Sequence, residues 1–326
     1  MRPTHIDCLI QEIHNCVDRH NLGAAGLYAR WKDETRINEY GCADAANILY
    51  TIGAFPRGAA ERAAWISALQ SLQNPATGLF REPTHHPIHT TAHCSAALEL
   101  FDAKPLHPCY DLTPYTTREG LYLLLEGLDW EKNPWPQSHQ GAGILPALTN
   151  TDMVGLDWKE DYFAWMWEHT DPENGFIYGS DRPKQAQLYA YMAGGFHYFF
   201  NHEAERRPVR YPDRIIDSCL EIMAHPEVAK LITHCGFIDI DVIYCLNRAT
   251  RYTDYRFCEA RAALEKYAEK YIAMMMAIDY QNDKYFNDLH SLFGAVCALA
   301  ELQAALPGKM ITSKPLRLVL DRRPFI

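Results

Sequence analysis

The stretch from Gly78 to His93, Gly-Leu-Phe-Arg-Glu-Pro-Thr-His-His-Pro-Ile-His-Thr-Thr-Ala-His, contains the pattern that decides the fold. A turn made of glycine and an aromatic residue leads into a helix rich in small residues, and an acid or a histidine stands near the start of that helix. Other copies begin at Gly26, Gly175, Gly236 and Tyr285, and a degenerate copy lies at Ser138–Gly143. Gly26 and Gly78 are 52 residues apart and Gly78 and Gly175 are 97 apart, which is close to one and two periods of about fifty. The repeat predicts about six helical hairpins that close into a ring around a shared cavity.

The rest of the chain is also typical of helices. Apolar residues recur at helical spacing over 58–74, 157–169 and 256–278, and the alternation typical of strands is almost absent. Each hairpin needs its neighbours to bury its apolar face, so we expect a single domain over residues 1–326. From about residue 307 the helical period is lost, and this tail is expected to pack as an irregular strap.

The composition and charge of the chain argue against several classes of protein. A net charge of −10 argues against nucleic acid or an anionic membrane as the main partner. No apolar run reaches the roughly 18 residues of a membrane span, and the N-terminal residues lack a secretory signal. The 10 cysteines form no CxxC pair and several lie in apolar runs, which favours free thiols in a reducing compartment. These features predict a cytoplasmic protein.

The segment Trp65–Phe80, Trp-Ile-Ser-Ala-Leu-Gln-Ser-Leu-Gln-Asn-Pro-Ala-Thr-Gly-Leu-Phe, resembles a signature of the terpenoid cyclase and protein prenyltransferase α/α-toroids. The segment Trp167–Phe176 is similar to the same signature in a looser form. In that superfamily a glutamine and an aromatic residue around the glycine turn join an outer helix to the next inner one. The resemblance implies an all-α fold, an (α/α)6 toroid of about six helical hairpins.

Asp239 and Asp241 resemble part of a catalytic motif of the superfamily. Class II terpene cyclases protonate an alkene with the middle acid of a D-x-D-D motif. Here Asp239 and Asp241 match the first two acids, with Asp241 at the proton-donor position, and Val242 stands where the last acid would be. The magnesium motif DDxxD is absent from the sequence.

Four residues are predicted to be catalytic. Asp241 and Asp239 lie among apolar residues that raise a carboxyl pKa, and Asp44 lies among small residues where an acid needs a cavity or a partner. His139 is followed by residues small enough to leave room for a ligand. The alternative for the acids is a capping role at a helix start.

His89 and His93 are four residues apart on a predicted helix, so both rings should point the same way. Such a pair can bind a divalent metal ion if another hairpin supplies a third ligand; otherwise the two histidines are substrate-binding residues or belong to a polar helix start. The other predicted substrate-binding residues are His197, Asp288, His290, Trp135 and Tyr191.

Three functions follow from these residues. The first is an enzyme with acid/base chemistry in the cavity, similar to a terpenoid cyclase and acting on a small isoprenoid-like molecule. The second is a carbohydrate-active hydrolase, lyase or isomerase, because acids, histidines and aromatic rings also suit sugars. The third is a toroidal binding protein without catalysis. A small-molecule partner is expected in each case, and the sequence leaves the cofactor and the oligomeric state open.

Overall fold

The computed structural model describes residues 1–226, 236–322 and 325–326, and α-helices dominate it. Its only strands within these ranges are β1 (Thr4–His5) and β2 (Met310–Ile311), which pair in parallel. The prediction of an all-α protein is therefore confirmed. The described helices are α1 (Asp7–Asp18), α2 (Glu39–Thr51), α3 (Ala59–Ser71), α4 (Pro87–Glu99), α5 (Arg118–Glu126), α6 (Pro134–Gly141), α7 (Ile144–Thr149), α8 (Leu156–Glu168), α9 (Leu188–Ala204), α10 (Pro212–Ala224), α11 (Phe237–Ala249), α12 (Phe257–Ala277), α13 (Leu289–Ala305) and α14 (Val319–Arg322).

Burial divides these helices into two kinds. Helices α2, α4, α9, α11 and α13 are buried on nearly all sides. Helices α1, α3, α5, α8, α10 and α12 bury a smaller set of side chains and expose the rest, as surface helices do. The three helices predicted over 58–74, 157–169 and 256–278 are α3, α8 and α12.

The buried helices contact one another in chain order. Helix α2 packs on α4, α4 on α6 and α7, α6 on α9, α9 on α11, and α11 on α13. Helix α13 then packs back on α2, so the series of contacts returns to its start. One hydrophobic core, which extends from Ile6 to Ile326, joins these elements.

Local chemistry explains where the buried helices begin. The Asn38 side chain caps α2 by accepting hydrogen bonds from the backbone N–H groups of Tyr40 and Gly41. Asp288 caps α13 in the same way through the N–H of His290. Pro87 starts α4, where its missing N–H has no cost.

The glycine turn at residue 78 is held by the Gln73 side chain. Gly78 has a φ of 74°, and a Cβ atom there would lie 1.7 Å from the carbonyl oxygen of Pro108. Gln73 Nε2 donates to the carbonyl oxygens of Gly78 at 2.8 Å and His107 at 2.7 Å, and its Oε1 accepts from the N–H of Leu106 at 2.8 Å. This side chain joins the end of α3 to two turns at once.

The predicted irregular tail contains β2 and the short helix α14, and it ends with Phe325 and Ile326 buried. The nine cysteines in the described ranges are free thiols, while Cys235 lies outside these ranges. Among the described helices, none combines the length and the apolarity that crossing a membrane requires.

Candidate functional site

A cavity of about 260 Å³ lies between the buried helices. Helices α4, α6, α9, α11 and α13 and the loop before α4 supply most of its wall. Five of its lining side chains are histidines, one is an acid, and most of the others are aromatic. The lining residues are His85, His89, Trp135, Pro136, His139, Phe196, His197, Phe237, Asp241, His290 and Ile326.

Asp241 is the acid in this lining. It lies on α11, its side chain is fully buried, and its Oδ2 atom has no hydrogen-bond partner among the described residues. Burial and the negative charge of Asp239 raise the pKa of Asp241 well above its usual value. Burial therefore favours the protonated form of Asp241 beside the cavity.

Asp239 lies on the same helix but is not part of the cavity wall. The hydroxyl group of Tyr267 on α12 donates a hydrogen bond to Asp239 Oδ1. Burial raises the pKa of Asp239 to about 8. Two residues of helix turn α11 by about 200°, which explains why these acids face different neighbours.

Asp44 is a buried acid with two partners. Its Oδ1 lies 2.7 Å from His93 Nε2, and its Oδ2 lies 3.1 Å from His290 Nδ1. Burial alone would raise the pKa of Asp44, but the positive charges of His290 and His93 outweigh burial and lower that pKa below its usual value. Asp44 is thus ionised, and it holds the His290 ring in the cavity wall.

His89, His139 and His197 face one another across the cavity. His89 Nδ1 lies 2.6 Å from the Tyr40 hydroxyl, and His197 Nδ1 lies 3.0 Å from the Ser138 hydroxyl. Burial lowers the pKa of all three imidazoles, and the positive charges of neighbouring histidines lower it further; the pKa of His197 falls to about 3. All three rings are neutral at pH 7.

An ion-pair network of Arg30, Asp288 and Glu82 lies next to His85 in the cavity wall. Arg30 forms two hydrogen bonds to Asp288, at 2.8 and 2.9 Å, and its guanidinium lies 3.3 Å from Glu82. Glu82 in turn lies 3.7 Å from His85, which lines the cavity. Asp288 therefore caps α13 and anchors Arg30, and it is absent from the cavity wall.

The structure brings together some of the predicted site residues and not others. Those in the cavity wall are Asp241, His139, His89, His197, His290 and Trp135. Those outside the wall are Asp44, His93, Asp239, Asp288 and Tyr191. Tyr191 is turned away from the cavity, since its hydroxyl donates to the carbonyl oxygen of Glu131 at 2.8 Å.

His89 and His93 lie in two different clusters of possible metal ligands. His89 groups with His139 and His197, while His93 groups with Asp44 and His290. The ring centroids of His89 and His93 are 6.4 Å apart, and the short contact between His93 and Asp44 assigns His93 to a different cluster. Their common helix face sets the direction in which the two rings point, but it does not determine which residues they contact.

Several residues of the site were not among the predicted ones. Tyr40 stacks on His93 and His85, with ring centroids 5.0 and 4.6 Å away, and bonds to His89. Ser138 supports His197. Tyr40 precedes Asp44 by four residues, and this shared helix face is the signal in the sequence that could have identified it.

Comparisons of this chain with protein-family models, with curated proteins and with solved structures found no match. The function is therefore inferred from the cavity and its side chains. Among the described lining residues, Asp241 is the one acid, and one oxygen of its buried side chain has no hydrogen-bond partner among the described residues.

Proposed function

We propose that this protein is an enzyme that carries out acid/base chemistry on a small molecule in the cavity, with Asp241 as the proton donor. One observation carries the proposal: a buried carboxyl group, with one oxygen lacking a hydrogen-bond partner among the described residues, borders a cavity of about 260 Å³. Leaving a buried polar atom unpaired costs roughly 1–3 kcal/mol, and such a cost is typical of groups kept for function.

The proposal includes the (α/α)6 toroid as the architecture. Two features support it. The series of contacts from α2 through α13 returns to α2, and five helices of this series are buried on nearly all sides: α2, α4, α9, α11 and α13. In a toroid the cavity lies at the axis of the ring. Polar residues from successive repeats then converge on one substrate.

The surroundings of Asp241 suit a proton donor. Burial is the main cause that raises the pKa of Asp241, and it favours the protonated form of this acid. Proton transfer by a positioned side chain contributes typically 10²–10⁴-fold to a rate. The neutral histidines of the lining can accept a proton or orient a hydroxyl group while Asp241 donates.

The lining favours a small polar substrate. Sites for drug-sized ligands usually enclose roughly 300–1,000 Å³, so a cavity of about 260 Å³ suits a smaller molecule. A wall with five histidines, one acid and one tryptophan is mixed, as sugar and uronate sites are. Since Asp241 is the one acid in the described lining, an isomerase or lyase reaction is favoured over the two-carboxylate mechanism of most glycoside hydrolases.

A short isoprenoid is the second candidate. Trp135, Phe196 and Phe237 offer aromatic faces, which stabilise a carbocation by cation–π attraction. The same Asp241 would then protonate an alkene. The small volume argues against a long isoprenoid chain.

The protonation of Asp241 is tested without a substrate. The infrared difference spectrum of wild-type protein minus Asp241→Asn protein at pH 7 should contain the C=O stretching band of a protonated carboxyl group. Asp44→Asn is the matched control, and its difference spectrum should contain carboxylate bands instead. A carboxylate signal from Asp241 at pH 7 would remove it as the donor.

The reaction is tested in ²H₂O with a panel of monosaccharides, uronates and short prenyl alcohols. Wild-type protein should transfer deuterium to a carbon of one panel member, detected by mass spectrometry, and Asp241→Asn should lower that rate at least about 100-fold. Deuterium transfer that survives in Asp241→Asn would contradict the proposal. Binding of a panel member without any exchange or turnover would instead indicate the non-catalytic binding protein.

A further inference from the structure

The three histidines of the cavity wall come from three different helices. His89 lies on α4, His139 on α6 and His197 on α9. One nitrogen of each ring lies within 4.8 Å of the corresponding nitrogens of the other two. The ring centroids are 4.4 Å apart for His89 and His139, 5.5 Å for His139 and His197, and 6.2 Å for His89 and His197.

Hydrogen bonds determine which nitrogen of His197 is available. The Ser138 hydroxyl donates its proton to the carbonyl oxygen of Trp135 at 2.5 Å. Its oxygen therefore accepts from His197 Nδ1–H, at 3.0 Å. The proton of this neutral ring is then on Nδ1, and Nε2 has a lone pair for a ligand.

The rings of His89 and His139 also have a nitrogen that can face a metal ion. His89 Nδ1 is occupied by the Tyr40 hydroxyl, which leaves its Nε2 as the nitrogen for a metal ion. His139 has no hydrogen-bond partner on either ring nitrogen among the described residues, and it is the most exposed of the three. A hydrogen bond to the far nitrogen of a histidine is the usual support of a metal ligand, because it sets the tautomer and the ring orientation.

The neighbouring cluster of Asp44, His93 and His290 provides a contrast. Asp44 lies 2.7 Å from His93 and 3.1 Å from His290, and these are hydrogen-bond distances. Ligands around a tetrahedral zinc ion with bonds of about 2.0–2.1 Å are roughly 3.3 Å apart. The Asp44 cluster is thus bonded to itself, whereas His89, His139 and His197 have no hydrogen bonds to one another in the described structure.

We propose that His89, His139 and His197 bind one divalent transition-metal ion, Zn²⁺ in the first instance, and leave its fourth position open to the cavity. Three neutral imidazoles with an open position form the donor set of a catalytic zinc site. Tyr40 and Ser138 act as positioning residues through His89 and His197. This site goes beyond the acid/base proposal and does not rest on it, since metal binding is measured without a substrate.

The test uses the purified full-length protein, freed of metal with a chelator. Calorimetric titration with Zn²⁺ should give one ion per chain, and Co²⁺ should give the strong visible absorption of a four-coordinate site. His139→Ala should weaken Zn²⁺ binding at least about 100-fold, since removing even a supporting residue costs 10–100-fold. Ser138→Ala should weaken it about 10–100-fold.

The matched control is His85→Ala, because His85 lines the same cavity but lies outside the three-histidine cluster. It should bind Zn²⁺ within about threefold of wild type, and circular dichroism should give the same helix content for every variant. Absence of stoichiometric binding by the wild type, or equal binding by His139→Ala, would overturn the proposal. Loss of the ion in His93→Ala with retention in His139→Ala would also overturn it and assign the ion to the Asp44 cluster.

Discussion

Asp44 and Asp241 are both buried acids on buried helices, yet their surroundings favour opposite protonation states. Asp44 has a histidine on each oxygen, and their positive charges hold its pKa low. Asp241 has an oxygen without a partner in the described structure, and burial together with Asp239 holds its pKa high. Burial is common to both, so the partners decide which acid is held as an anion and which is favoured in its protonated form.

Asp44→Asn should have the largest effect on stability. The substitution removes the negative charge between two buried histidines, and breaking a buried ion pair from one side costs about 3–5 kcal/mol. We expect the free energy of unfolding at pH 7, measured by urea denaturation, to fall by that amount. A loss below about 1 kcal/mol would mean that Asp44 is not the charged centre of its cluster.

Asp241→Asn should change stability in the opposite direction. At a pH above the pKa that Asp241 has in the unfolded chain, this acid is ionised there and must take up a proton when the protein folds. This uptake lowers the free energy of unfolding, and an amide avoids that loss. At pH 8 we expect the variant to be more stable than wild type by about 1–3 kcal/mol in the same denaturation experiment. A loss of stability similar to that of Asp44→Asn would show that the two acids are equivalent.

The pH dependence separates the two acids further, through Asp239. Its pKa is about 8 in the folded protein against 3.8 for the ordinary group, so the folded state binds more protons between these values and stability falls as pH rises from about 4 to about 8. Asp44 acts in the reverse sense, since its lowered pKa contributes stability that is lost as pH falls below about 4.

Asp239→Asn should therefore flatten the decline in stability between pH 5 and pH 8, by up to about 1.4 kcal/mol per pH unit. The measurement is the free energy of unfolding at each pH. A decline that is unchanged in Asp239→Asn would contradict the assigned titration of Asp239.

Tyr267→Phe should have a small effect at pH 6. It removes the hydroxyl that donates to Asp239, at a cost of about 1 kcal/mol for a neutral acceptor and about 1.5–3 kcal/mol for a charged one. The loss should thus be larger at pH 9 than at pH 6. Tyr271→Phe removes a hydroxyl that donates to the carbonyl oxygen of Ala295, so its effect should not vary with pH. Equal losses of Tyr267→Phe at both pH values would contradict the assigned titration of Asp239.

The sequence by itself determined the all-α class and the position of the turns. Periodic apolar residues and the glycine-aromatic turns act locally, and Gly78 has the left-handed conformation that a turn glycine adopts. The same local patterns singled out several of the lining histidines and Asp241. These signals depend on neighbours within one or two helical turns, which a single sequence contains.

Only the tertiary structure decided which partner each polar group has. His89 and His93 share one helix face, yet a contact between residues 44 and 93 draws His93 into the Asp44 cluster, and a contact between residues 40 and 89 orients His89 toward the cavity. Asp239 and Asp241 are two residues apart, yet one bonds to Tyr267 and the other faces the cavity. Charge state and ligand geometry depend on such contacts between distant helices, and these arise only when the helices pack.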